Sequence, residues 1–249
     1  MNKRSVGTWC LLTWLFAVSC GLQAVGNSGA SQGVRQEKEL RTLFENRYQV
    51  WLEAREEWIR QNRFLSYTPL LPEGEAILHM GPAVVPFIIE KIEQDLSERK
   101  WDNRLRSSVL GLLSRITKKR FRKSEWPEAT YGRHDTHMEL YVRWWKEGRK
   151  ETPRKFAALY AEWDKFLRDG KTDKAEKTFD LIRSMGIEVL PLVMEKIQQS
   201  DNRLVPLVSK ITRKKVGGDK PTRASVLDWW KANQAALRFP EPPPKPSKK

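Results

Sequence analysis

Met80-Gly81-Pro82-Ala83-Val84-Val85-Pro86-Phe87-Ile88-Ile89-Glu90-Lys91-Ile92-Glu93-Gln94 returns 105 residues later as Met185-Gly186-Ile187-Glu188-Val189-Leu190-Pro191-Leu192-Val193-Met194-Glu195-Lys196-Ile197-Gln198-Gln199, with eight of fifteen positions identical. Self-similarity over that distance marks a duplicated structural unit and constrains the architecture before any local propensity does. The same offset runs back without a gap through Ile77 and Ile182 to Glu57-Trp58 and Glu162-Trp163. Further on, Asp102-Asn103-Arg104-Leu105 recurs at Asp201-Asn202-Arg203-Leu204, Ile116-Thr117 at Ile211-Thr212, and Trp144-Trp145-Lys146 at Trp229-Trp230-Lys231, while the offset falls to 99, 95 and 85. Duplication followed by drift in loop length produces this spacing.

The repeated unit is helical by its period. Val85, Ile88, Ile89 and Ile92 fall at i, i+3, i+4 and i+7, as do Leu190, Val193, Met194 and Ile197 and also Leu204, Leu207, Val208 and Ile211; each set is one apolar stripe on one helix. The opening helix carries Leu40, Leu43, Phe44, Tyr48, Trp51, Leu52, Trp58 and Ile59, and its counterpart Phe156, Leu159, Tyr160, Trp163 and Leu167. Gly81 and Gly186 are predicted to end one helix, and Pro86 and Pro191 to open the next, where a missing N–H costs little. No comparable stretch alternates strictly, as a sheet would require. Hairpins with single apolar stripes must stack to hide them. The predicted fold class is all-α: stacked helical hairpins in two diverged copies, 37–152 and 153–238.

This pattern resembles HEAT-type helical repeats, in which a Gly corner, a Val-Pro-bearing helix and an Arg-bearing second helix follow one another. Ile211-Thr212-Arg213-Lys214-Lys215-Val216-Gly217-Gly218-Asp219 with Trp229-Trp230 is also similar to a bacterial HEAT-like family whose repeats close on Leu-Thr-Gly-x-x-Phe-Gly-x-Asp and a Trp-Trp helix. Arg213 stands where that pattern has its first glycine, and Val216 where it has phenylalanine. The first copy reads Ile116-Thr117-Lys118-Lys119-Arg120-Phe121, with an insertion before Tyr131-Gly132 and Asp135. The resemblance implies a HEAT-like α-solenoid acting as a scaffold or binding surface.

The N-terminus points to export. Met1-Asn2-Lys3-Arg4, an apolar run over 9–18 and then small residues form the layout of a secretory signal peptide over 1–24, with cleavage after Ala24. The rival is a lipoprotein signal, because Ala17-Val18-Ser19-Cys20 resembles a lipobox and Cys20 would then carry a lipid anchor. Either way the run is too short to cross a bilayer, so no transmembrane span is expected in the mature chain. The expected location is the periplasm, the cell envelope or the medium. The two cysteines, Cys10 and Cys20, both lie in this segment, which leaves the folded part no thiol for a disulfide, a zinc-thiolate site or a cysteine nucleophile. Residues 25–36, rich in Gly, Ser and Asn, read as a flexible linker, and the Pro- and Lys-rich stretch 239–249 as a solvated tail.

With 46 Lys and Arg against 31 Asp and Glu the formal charge is +15, which favours anionic partners and says nothing about fold. The runs Lys118-Lys119-Arg120-Phe121-Arg122-Lys123 and Arg213-Lys214-Lys215 occupy the same place in both copies. Two readings stand. They offset the dipole at a helix C-terminus, or, if the hairpins stack in parallel, they form a basic ridge along one edge for an anionic polymer.

The paired tryptophans Trp144, Trp145, Trp229 and Trp230 and the pair Trp58/Trp163 could stack on sugars or bases, but recurrence at equivalent repeat positions favours packing. Neighbours on a helix diverge by about 100°, so one ring of each Trp-Trp pair is expected to point inward. His134 and His137 share a helix face as a metal pair would, yet they lie where Asp135 or Thr136 serves as a cap, and no metal is assigned. His79 stands at a helix end. Glu53, Glu56 and Glu57 lie among Arg55 and Arg60 as a paired surface. There is no phosphate loop, no Gly-x-Ser-x-Gly and no His-Glu-x-x-His. No cofactor and no catalytic activity are expected. The function expected is a binding or scaffolding module for a protein or an anionic polymer. The alternatives are a glycan-directed binder or enzyme, and, if the chain is not exported, a HEAT-like nucleic-acid binder or DNA glycosylase.

Overall fold

The computed structural model describes residues 28–62, 69–128 and 130–240. The proposed signal segment with Cys10 and Cys20, and the tail beyond Pro240, lie outside them. The chain divides into two compact units, Met1–Glu37 and Lys38–Lys249; apart from the start of α1, everything below concerns the second.

Among the described residues the fold is all-helical, in the order α1 (Ser28–Gln61), α2 (Pro72–Leu78), α3 (Val85–Glu98), α4 (Asn103–Thr117), α5 (His134–Lys146), α6 (Thr152–Arg168), α7 (Thr172–Ser184), α8 (Leu190–Gln198), α9 (Val205–Thr212) and α10 (Arg223–Leu237). Short 3-10 turns join several of them. α1 begins at Ser28, inside the stretch read as a linker. Adding residues to a helix already nucleated by its packed part costs little per residue, which outweighs the glycines there.

The five-helix pattern occurs twice. α3 and α8 each carry a proline as their second residue and follow a 3-10 turn, Gly81–Val84 or Ile187–Val189. The last helix of each copy packs on the two stripe-bearing helices before it, α5 on α3 and α4, α10 on α8 and α9. Two apolar clusters result. The first is built from side chains between Phe44 and Trp145, the second from side chains between Phe156 and Trp230, and Phe239 packs against both.

In the opening helices the equivalence differs from the one read in sequence. Phe44, Tyr48 and Trp51 form a ladder with ring centroids 5.5 Å apart at each step. Phe156, Tyr160 and Trp163 form the same ladder at 5.8 and 5.9 Å. Lys91 lies over Tyr48 as Lys196 lies over Tyr160. The counterpart of Trp163 is therefore Trp51, not Trp58. A slip of seven residues is almost two helical turns, so it leaves the apolar stripe on the same face and is invisible to periodicity.

Arg55, read as part of an exposed charged face, is also corrected: it is buried and reaches Asp102, the N-cap of α4, at 3.4 Å and Ser108 at 3.2 Å. Glu57 does pair with Arg60 at the surface. His79 caps the end of α2.

Candidate functional site

The joint between the copies is built on backbone. Gly186, with φ +82°, faces the loop after α4, where a Cβ would stand 2.4 Å from the Thr117 carbonyl oxygen and 2.7 Å from the Lys119 nitrogen. The Arg120 N–H donates to the Ser184 carbonyl at 2.9 Å, which fastens that loop to the end of α7. The loop itself is a repeated device. The Thr117 hydroxyl donates to the Leu113 carbonyl and accepts from the Lys119 N–H, and Thr212 does the same with Val208 and Lys214. Between them Lys118 and Arg213 take left-handed backbone, φ 55° and 56°.

These turns gather cations. At the ends of α4, α7 and α9, Arg115, Lys118 and Arg120 of the first copy and Arg183, Arg213 and Lys214 of the second lie close enough that several act on one another through their charges. Burial, and then the charges of Arg213, Lys214 and Arg115, hold the Lys118 ammonium below its ordinary pKa. Burial also lowers the Arg213 guanidinium, with Arg120, Arg183 and Arg115 among the charges that add to it. Of the six, Arg183 alone has a carboxylate partner among the described residues, Asp180 at 3.2 Å. Three helix C-termini contribute about half a negative charge each. With Asp180, that leaves about 3.5 positive charges uncompensated, so the dipole explanation accounts for only part of the cluster.

The other predicted cations do not join it. Lys119 turns inward, its ammonium 3.6 Å from Glu188 and its side chain 10% exposed. Arg122 pairs with Glu125 at 3.7 Å, and Lys123 is exposed on the turn Lys123–Glu125, past Phe121. Lys215 pairs with Asp219 at 2.6 Å. The expected ridge is thus a patch, because Glu125, Asp219 and Glu188 neutralise its flanks. Arg115 and Arg183 were missed by searching for runs of basic residues. Their signal was position: each lies in the last turn of a helix that precedes a corner.

Three of the four paired tryptophans are buried. Trp144 and Trp145 are both buried, against the expectation of one inward ring. The reason is the joint: the Trp144 indole N–H donates to the Glu188 carboxylate at 2.9 Å, and its ring meets Phe239 at 5.8 Å. Trp145 is covered by Arg149, whose guanidinium lies 4.2 Å from the ring centre. In the second copy Trp230 is buried and Trp229 half-buried. Trp144, Trp145 and Trp230 are too buried to offer an open stacking face, and Trp229 is half-buried.

A cleft of about 710 Å³ lies between the copies beside the patch, with Trp144 and Glu188 in its lining and Phe121, Arg143, Leu159 and Met185 among its walls. His137 packs among Phe121, Trp126 and Tyr141, with ring centres 5.0 to 5.8 Å away, and burial pushes its pKa down to about 4. His134 opens α5, while Asp135 accepts from Arg133 and from the Thr136 N–H. The N-cap of α5 is Arg133, two or three residues before the caps predicted, and no side chain bonds the cap. No group of three or more metal-ligating side chains occurs among the described residues, and none of their helices is long and apolar enough to cross a membrane.

Comparison with protein-family models, with curated proteins and with solved structures finds no match for this chain.

Proposed function

We propose that the protein is an exported, HEAT-like binding module whose ligand is an anionic polymer, engaged at the basic patch between the two copies. One observation carries this reading: cations of both copies act on one another through their charges, with a carboxylate on only one of the six among the described residues. Like charges held near one another repel unless an opposite charge relieves them, and an anionic polymer supplies that charge at many points. The proposed signal segment sets the compartment, and the resemblance to scaffold-type repeats sets the role, binding rather than catalysis.

The test is fluorescence anisotropy with labelled long-chain polyphosphate across a salt series. Binding that weakens steeply as salt rises supports the reading. No binding at low salt refutes it, and capture of a protein partner that persists at high salt moves the role to the cleft. Intact mass of the protein recovered from the producing cell tests export. A chain beginning after Ala24, or a lipidated Cys20, supports it, whereas uncleaved cytosolic protein returns the reading to a nucleic-acid partner.

A further inference from the structure

We propose that the cleft beside Arg149 binds an organic acid that carries one carboxylate on an aliphatic body. The cleft holds about 810 Å³, and residues from the start of α6, the start of α8 and the end of α10 line it. None of the patch cations is among them, so this site is independent of the polyanion reading.

Arg149 is the group that calls for a ligand. Its guanidinium is clamped between two rings, 4.2 Å from the centre of Trp145 and 5.0 Å from that of Phe239. Nη2 donates to the Pro240 carbonyl at 3.0 Å. Nη1 is buried and has no hydrogen-bond partner among the described residues. The buried hydroxyl of Tyr48 and indole N–H of Trp126 also lack one, but those groups are neutral, and a charged donor left unsatisfied costs more. The rings and the Pro240 bond keep the guanidinium from turning out to water. Glu188 lines the same cleft, yet its carboxylate already accepts from the Trp144 indole and pairs with Lys119.

The walls set the rest of the ligand. Ile187, Leu192, Leu237 and Phe239 are apolar, while Lys150 and Arg238 add positive charge. Sites for small organic molecules span about 300–1,000 Å³ and are mostly apolar with a few placed polar groups. A carboxylate oxygen accepts a charge-assisted hydrogen bond from Nη1, and an aliphatic chain covers the apolar walls. A multiply charged anion would leave much of its charge against carbon.

The experiment is isothermal titration of the full chain with octanoate, below its micellar concentration, and with octanol. Octanoate is expected to bind saturably, and octanol about tenfold or more weakly, for want of the charged bond. Arg149→Gln should weaken octanoate by about tenfold or more, whereas Lys150→Gln, the same loss of charge at an exposed position, should weaken it by about fivefold at most. Pro191→Trp fills the cleft from its exposed rim, leaves Arg149 in place and should abolish binding, which keeps the test decisive if Arg149→Gln fails to fold. No heat from octanoate overturns the site, as does equal binding of octanol. Equal loss in Arg149→Gln and Lys150→Gln overturns it as a net-charge effect, and unchanged binding in Pro191→Trp places the ligand elsewhere.

Discussion

The two copies share a plan and differ in what covers them. In the first, the Trp-Trp helix is enclosed on both sides: Trp145 faces its own core and Arg149, and Trp144 faces Glu188 of the second copy and Phe239. In the second, Trp230 is enclosed and Trp229 is half-buried. The hydroxyls of the paired tyrosines differ too. Tyr160 donates to Asp201 at 2.6 Å, while the buried hydroxyl of Tyr48 has no hydrogen-bond partner among the described residues. Duplication therefore fixed the positions, and each position took the chemistry its neighbours allowed.

The widest gap between the copies should appear at the tryptophans. Trp144→Ala removes a buried ring and one hydrogen bond to the buried Glu188 carboxylate, and should cost about 3–5 kcal/mol in urea unfolding. Trp229→Ala should cost about 1–2 kcal/mol, and equal losses would break the comparison. The glycine corners come next. Gly186→Ala drives a Cβ into the Thr117 and Lys119 backbone and should cost about 3 kcal/mol, whereas Gly81→Ala, whose Cβ would meet the Ala236 carbonyl at 3.2 Å, should cost about 1–2 kcal/mol, mostly for its positive φ.

Histidine-linked acid sensitivity should belong to the first copy, which holds all three histidines. The His137 pKa is depressed to about 4 from 6.5 by burial, so the unfolded chain binds the proton first. Stability from neutral His137 is complete above about pH 6.5, falls as pH drops, and is lost by about pH 4. After allowance for its open side the loss is about 1–2 kcal/mol. His137→Phe should flatten that part of a pH–stability curve, and an unchanged slope would remove His137 as its source. The smallest contrast is in the tyrosines: Tyr160→Phe should cost about 1 kcal/mol and Tyr48→Phe about zero or less, read by chemical denaturation.

Periodicity and self-similarity made the helices, the corners at Gly81 and Gly186 and the recurring Trp-Trp helix legible, because burial of one stripe per helix leaves a 3.6-residue trace. The Trp51/Trp163 equivalence was hidden by a slip of almost two turns, which conserves the stripe. For the site, the basic runs pointed to the right loops, since Lys118, Arg120, Arg213 and Lys214 belong to the patch. Which members of each run stay available depends on carboxylates from other segments. Glu188 lies 69 positions from Lys119 in sequence, and no local pattern announces that pairing.

Phe239 and the end of α10 give the stack a property that open repeat arrays lack. The Ala236 carbonyl abuts the Gly81 corner, Phe239 touches Trp144 and Trp145, and Arg149 holds the Pro240 carbonyl at 3.0 Å. A linear array frays from its terminal unit because that unit has one neighbour. Here the last helix is riveted to the first copy, so fraying at the C-terminus must also open the N-terminal core, and both copies should melt in a single transition.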